Sequence, residues 1–67
     1  MTVGSQLKQT IVSLKGIQGT AKVYATQAQH EKTRRAFSQA SDKLEQILSD
    51  LEGRLQTLEF EEPQYKG

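Results

Sequence analysis

The chain has 67 residues, no cysteine and no tryptophan, and 34% of its residues are apolar. So few apolar side chains can build one small domain at most, which leaves little room for the deep pocket of an autonomous enzyme. The formal net charge of +1 is not that of a strongly basic nucleic-acid binder.

The N-terminal residues contain no apolar core of a secretory signal peptide, and no stretch approaches the roughly 18 consecutive apolar residues of a membrane span. The lack of cysteine is compatible with any redox compartment. We therefore expect a protein without a transmembrane segment, either cytoplasmic or peripheral to a membrane.

The first periodic segment runs from about residue 3 to residue 28. Its apolar positions are three and four residues apart, which predicts an amphipathic helix. Thr2 or Ser5 supplies the expected N-cap oxygen. Gly16 and Gly19 each cost about 1 kcal/mol inside a helix, and they indicate a bend or a close helix approach. A seven-residue repeat is formed by Leu7, Leu14, Ala21 and Ala28.

The second periodic segment runs from about residue 31 to residue 58 and predicts a stronger helix. Asp50 and Arg54 have the acid-first spacing of four residues that stabilises an exposed helix. Gly53 is its weak point, a candidate kink or partial break. Its own seven-residue repeat is formed by Phe37, Leu44, Leu51 and Leu58.

A short turn at about residues 28–31 separates the two helices and forces them to be antiparallel. The predicted fold is therefore all-α, a two-helix hairpin over residues 1–59. The predicted core and dimer interface consists of Leu7, Ile11, Leu14, Phe37, Leu44, Leu48, Leu51 and Leu55.

Some apolar side chains do not fit one narrow seam between two helices, namely Val12, Val23, Leu48 and Leu55. A second hairpin that packs on the first would cover them, which predicts a homodimeric four-helix bundle. The alternative is a partner helix from a different protein in the same groove.

The charges are divided between the two halves of the chain. Residues 1–41 carry a net charge of +5 and residues 42–67 a net charge of −4. Lys8, Lys15 and Lys22 recur every seven residues beside the seam. Antiparallel pairing should place the first two of these lysines beside Glu45, Asp50 and Glu52, and such pairs select orientation more than they add stability.

Residues 60–67 form an acidic and aromatic tail, because Pro63 ends any helix at or before Glu62. One interpretation is a frayed terminus. The other is that Phe60, Pro63 and Tyr65 dock onto the bundle or onto a partner.

The sequence offers no constellation for catalysis, and we expect no enzymatic activity, no cofactor and no metal. A di-iron site in a helical bundle needs Glu-x-x-His pairs, whereas His30 is the single histidine and has a glutamine three residues before it. We expect His30 to cap the turn or to be solvated. The glycines of KGIQGTAK do not follow a strand, so they do not form a phosphate-binding loop.

A basic cluster surrounds the predicted turn, formed by Lys22, Lys32, Arg34 and Arg35. Its ordinary interpretation is a solvated helix surface. The alternative is a salt-dependent site for anionic lipid headgroups or nucleic acid, with nucleic acid disfavoured because no recognition helix or aromatic platform accompanies it.

Three segments, MTVGSQLKQTIVSLKG, RRAFSQASDKLEQIL and EEPQYKG, resemble a family of short uncharacterised proteins of endospore-forming bacteria, a domain of unknown function. Genes of that family occur in operons with spore inner-membrane proteins that handle dipicolinic acid. The resemblance implies a role in sporulation or germination, with a protein partner at a spore membrane complex and a location in the developing spore. It implies no reaction and no cofactor. Relatives often carry proline near the last turns of the second helix, where this chain has Gly53.

These observations favour a non-enzymatic structural or adaptor protein that forms a helical hairpin and dimerises. The alternative function is a small binder of anionic membrane surfaces or nucleic acid through the basic cluster.

Overall fold

A computed structural model describes residues 2–61, which form two α-helices, α1 (Val3–Gln27) and α2 (Glu31–Glu61). The connection of residues 28–30 is so short that the helices run antiparallel along most of their length. The described part of the chain contains no strand, and the predicted all-α hairpin is confirmed. Its extents of 53 × 17 × 10 Å correspond to a single layer of two helices side by side.

The first helix has well-defined ends. At its start the Thr2 hydroxyl oxygen accepts a hydrogen bond from the backbone N–H of Ser5 at 3.0 Å. Of the two predicted caps, Thr2 therefore fills the role and Ser5 lies inside the helix. At the other end Ala28 has extended backbone angles, φ −65° and ψ 136°, and its N–H donates to the carbonyl oxygen of Tyr24 at 2.9 Å.

The second helix begins after His30, whose backbone carbonyl accepts a hydrogen bond from the N–H of Arg34 at 2.9 Å. The helix is unbroken at Gly53, so the partial break considered from the sequence is absent. It also continues to Glu61, three residues beyond the predicted end, and therefore includes Phe60. The rest of the predicted tail, with Pro63 and Tyr65, lies outside the described residues.

One seam holds the two helices together. Its residues repeat at alternating steps of three and four, as expected where one helix packs along another. The apolar side chains buried best are Ile11, Ala21 and Leu48, at 5%, 7% and 3% exposure. The seam comprises Gly4, Leu7, Ile11, Leu14, Gln18, Ala21 and Ala25 of α1, Ala28 directly after it, and Phe37, Ser41, Leu44, Leu48, Leu51, Leu55 and Leu58 of α2.

The structure corrects the expected division between seam and outer surface. Leu48 is buried and Leu55 is half-buried, so both fit within the seam, although the sequence indicated that they and two valines would not all fit there. Val12 is exposed, as expected for a side chain outside the seam. Ile47 is 48% exposed, although it is as apolar as the buried Leu48 beside it. The reason is geometric, because Ile47 lies about 100° around the helix from the neighbouring seam residue.

Candidate interaction surfaces of the hairpin

One long side of the hairpin is a charged flank, formed by Lys8, Lys15 and Lys22 of α1 and Glu45, Glu52 and Glu59 of α2. Lys8 Nζ lies 2.9 Å from Glu59 Oε2, and Lys15 Nζ lies 3.6 Å from Glu52 Oε2. Each step of seven residues up α1 thus matches a step of seven residues down α2. Of the three acidic partners expected for these lysines only Glu52 forms an ion pair with one of them, and Asp50 instead pairs with Arg54 on its own helix, 3.1 Å away.

A polar contact lies inside the seam, where only packing between apolar side chains was expected. Gln18 and Ser41 are 8% and 5% exposed. Gln18 Nε2 donates to the backbone carbonyl of Ser41 at 3.2 Å and to Glu45 Oε2 at 2.6 Å. The sequence did contain a signal for this buried contact. Gln18 follows the seam residue Ile11 by seven positions, and Ser41 precedes the seam residue Leu48 by seven.

The opposite long side is an apolar flank, formed by Ile17 and Tyr24 of α1 and Ala40 and Ile47 of α2. Ile17 follows Lys15 by two residues, and Ile47 follows Glu45 by two. Because two residues turn a helix by about 200°, both isoleucines lie across the seam from the charged flank. Ile17, Tyr24 and Ile47 remain 56%, 48% and 48% exposed.

A shallow groove of about 650 Å³ runs along the apolar flank. The aromatic rings of Tyr24 and Phe37 meet edge to face at one end, with centroids 5.3 Å apart and planes at 63°. Small residues leave the rest of the groove open. Its lining consists of Ser13, Gly16, Ile17, Thr20, Ala21, Tyr24 and Phe37.

The outer surface of α1 is almost free of charge. The helix has three charged residues, Lys8, Lys15 and Lys22, and all three belong to the charged flank. The rest of its circumference presents apolar, hydroxyl and amide side chains together with Gly16 and Gly19. A helix surface of this kind suits contact with another uncharged surface.

The basic cluster at the turn is partly neutralised by an acidic side chain of its own helix. Glu31 lies 3.1 Å from Arg34 Nη2 and 3.7 Å from Arg35 Nη2. Lys22 and Lys32 form no ion pair with any described residue. Four cations therefore lie near the turn end of the hairpin, and two of them, Arg34 and Arg35, are paired with the Glu31 carboxylate.

The described residues contain no cluster of three histidine, cysteine or acidic side chains that could hold a metal ion. His30 contributes its backbone carbonyl to the start of α2 and is exposed. Every buried side-chain nitrogen or oxygen among residues 2–61 has a hydrogen-bond partner, so no orphaned polar atom marks a binding site there.

The predicted core and interface residues all lie in the seam of the hairpin. Ile11 and Leu48 are buried, and the other six are half-buried. Phe60, for which both a frayed terminus and docking were considered, is 79% exposed at the end of α2. Ile47 and Tyr24 were not predicted to be surface contacts, although both come directly before a seam residue and this spacing could have identified them.

The sequence model of one protein family, described as a protein of unknown function (DUF1657), matches residues 7–55. The chain belongs to this family. The match covers the seam from Leu7 to Leu55 and the whole turn. No curated protein and no solved structure matches the chain significantly.

Neither helix combines the length and the apolar character that crossing a bilayer requires, as judged over residues 2–61. The apolar side chains of both helices are instead arranged in stripes, with charged and polar residues between them.

Proposed function

We propose that this protein is a non-enzymatic helical hairpin that self-associates and acts as a structural or adaptor component. The observation that carries the proposal is the apolar flank, where Ile17, Tyr24 and Ile47 each keep about half of their surface exposed. Helices that present apolar stripes on two sides need a second layer to cover the outer stripe. The resemblance to proteins of endospore-forming bacteria extends the proposal to a partner at a spore membrane complex.

The limited core supports self-association. A single layer of two helices buries only three apolar side chains among the described residues: Ile11, Ala21 and Leu48. Small domains without disulfides or metals commonly gain the missing burial by oligomerising. A second copy supplies a matching surface of the same size and character.

The mass of the protein in solution tests this proposal directly. We expect light scattering after gel filtration to give about 15 kDa, twice the 7.5 kDa of one chain, with strong helicity by circular dichroism on the same samples. Ile47→Glu should give a monomer at the concentration where the native protein is a dimer, because it places a charge in the apolar flank.

Gln46→Glu is the matched control for that variant, since it adds the same charge to the neighbouring exposed position away from the flank. It should leave the dimer intact. A native protein that stays monomeric and fully helical up to high micromolar concentration would overturn the proposal.

Binding of anionic surfaces through the turn is the weaker alternative. Glu31 already pairs with both Arg34 and Arg35, which leaves Lys22 and Lys32 as the cations without an ion pair among the described residues. Flotation with anionic vesicles and a nucleic-acid shift assay at two salt concentrations test it. Salt-sensitive binding that Glu31→Gln strengthens would favour this alternative over the adaptor function.

A further inference from the structure

We propose that two hairpins stack apolar flank on apolar flank about a twofold axis that crosses both helices near Ile17 and Ile47. Each Lys43 then faces Asp50 of the partner subunit. In this arrangement α1 packs antiparallel on its own copy, and so does α2. The proposal rests on the self-association proposed above and adds the surface, the symmetry axis and the register.

The two isoleucines lie at nearly the same height along the hairpin. The hydrogen bond of 2.6 Å between Gln18 Nε2 and Glu45 Oε2 fixes the relative level of the two helices. Ile17 comes directly before Gln18, and Ile47 comes two residues after Glu45. With a rise of about 1.5 Å per residue, both isoleucines fall within one helical turn of the same level. A single axis across the layer can therefore pass close to both.

The charges beside Ile47 are arranged to match their own copies. Lys43 lies four residues before Ile47, and Asp50 lies three residues after it, so all three share one side of α2. Rotation by 180° about an axis at Ile47 exchanges the positions before and after it. Lys43 then comes opposite Asp50 of the partner subunit, within about one residue rise, and the symmetry forms the pair twice.

On α1, the residues four before and three after Ile17 are small and uncharged. Ser13 and Thr20 lie four residues before and three residues after Ile17, and both line the groove of the apolar flank. The same rotation places Thr10 opposite Tyr24 of the partner subunit, a small side chain against a large one. Interfaces gain complementarity from such alternation.

Charge also distinguishes this arrangement from the other twofold stacking, in which the axis runs along the helices and α1 covers α2 of the partner subunit. In that arrangement Lys43, which forms no ion pair with any described residue, would face the uncharged surface around Ser13 and Thr20. A charged group that loses water without gaining a partner is costly. The axis across the layer instead offers Lys43 the carboxylate of Asp50 of the partner subunit, which in each hairpin is already paired with Arg54.

Charge reversal tests the register. Lys43→Asp and Asp50→Lys should each weaken the homodimer about tenfold or more, because like charges then meet at two symmetric places. A mixture of the two variants should restore association to near the native level, since every reversed charge in the mixed dimer faces its complement. The double variant should also associate as the native protein does.

Matched controls use the same kinds of change away from the apolar flank, at Asp42→Lys and Lys22→Asp. Both positions are exposed, and both variants should keep the native dimer. Sedimentation equilibrium gives the dissociation constants. If the native protein dimerises and both single reversals associate equally well, the proposed register is overturned while self-association stands. If the native protein is a monomer, the proposed function itself fails.

Cross-linking distinguishes the two symmetry axes, and the chain has no native cysteine to interfere. Ile17→Cys and Ile47→Cys should each form a disulfide-linked dimer alone under mild oxidation, because each residue lies near its own copy at the axis. Gln46→Cys serves as the control and should not cross-link. Efficient cross-linking only in the mixture of the two variants would show that the axis runs along the helices, against the proposal.

Discussion

Gln18 of α1 donates a hydrogen bond from its side-chain amide to the backbone carbonyl of Ser41 of α2, 3.2 Å away in the middle of an otherwise apolar seam. The same amide nitrogen also reaches the Glu45 carboxylate at 2.6 Å. Polar residues at such positions lower stability but select one register, because any other register leaves the amide without partners.

Gln18→Leu should therefore raise stability and reduce structural uniqueness. A leucine in the seam gains apolar burial, whereas a net hydrogen bond contributes only about 1 kcal/mol. We expect the free energy of unfolding to rise by about 1 kcal/mol in urea titrations, with a broader distribution of masses by light scattering. Gln9→Leu, on the exposed side of α1, should change neither measurement. A loss of stability in Gln18→Leu would show that the amide contact outweighs the burial.

The charged flank should show coupling between helices that depends on salt. Lys15→Glu places two acidic side chains together at Glu52 and should lower stability, and Glu52→Lys in the same chain should restore it. For exposed pairs we expect a coupling energy of about 0.2–1 kcal/mol in a double-mutant cycle, vanishing near 1 M salt. Lys32→Glu is the control, since Lys32 pairs with no described acidic residue. Coupling unchanged by salt would contradict a Coulombic origin.

Truncation of the best-buried side chain should have a large effect on this small core. Leu48 is 3% exposed, and Leu48→Ala should cost about 2–5 kcal/mol, enough to unfold a marginal domain at room temperature. Val12 is 69% exposed, and Val12→Ala should stay within about 0.5 kcal/mol of the native protein. Circular dichroism during thermal unfolding measures both. Equal effects of the two variants would contradict the assigned seam.

Two glycines on the outer surfaces should be replaceable with a gain. A Cβ at Gly19 or Gly53 would meet no atom within 4 Å, and neither residue has positive φ. Gly19→Ala and Gly53→Ala should each stabilise the helices by about 0.5–1 kcal/mol, because alanine loses less backbone entropy on folding. Urea titration gives the difference. A variant without this gain would identify a glycine that another molecule approaches closely.

The sequence by itself determined the two helices, the antiparallel hairpin and the family resemblance. Two seven-residue repeats and a short polar connection leave one arrangement that buries both stripes, because the side-chain period of a helix is fixed by its geometry. For the N-cap the sequence left Thr2 and Ser5 as alternatives, and the structure assigns Thr2, whose hydroxyl satisfies a backbone N–H at the helix start.

The tertiary structure decided which residues of each helix lie in the seam between them. Neighbours such as Ile47 and Leu48 are equally apolar, and only the rotation of α2 against α1 places one on the surface and the other in the seam. The buried position of Gln18 likewise depended on a carbonyl and a carboxylate contributed by the other helix. Composition cannot encode these choices, because they arise from the relative rotation and level of two helices, which are set by all the contacts along the seam together.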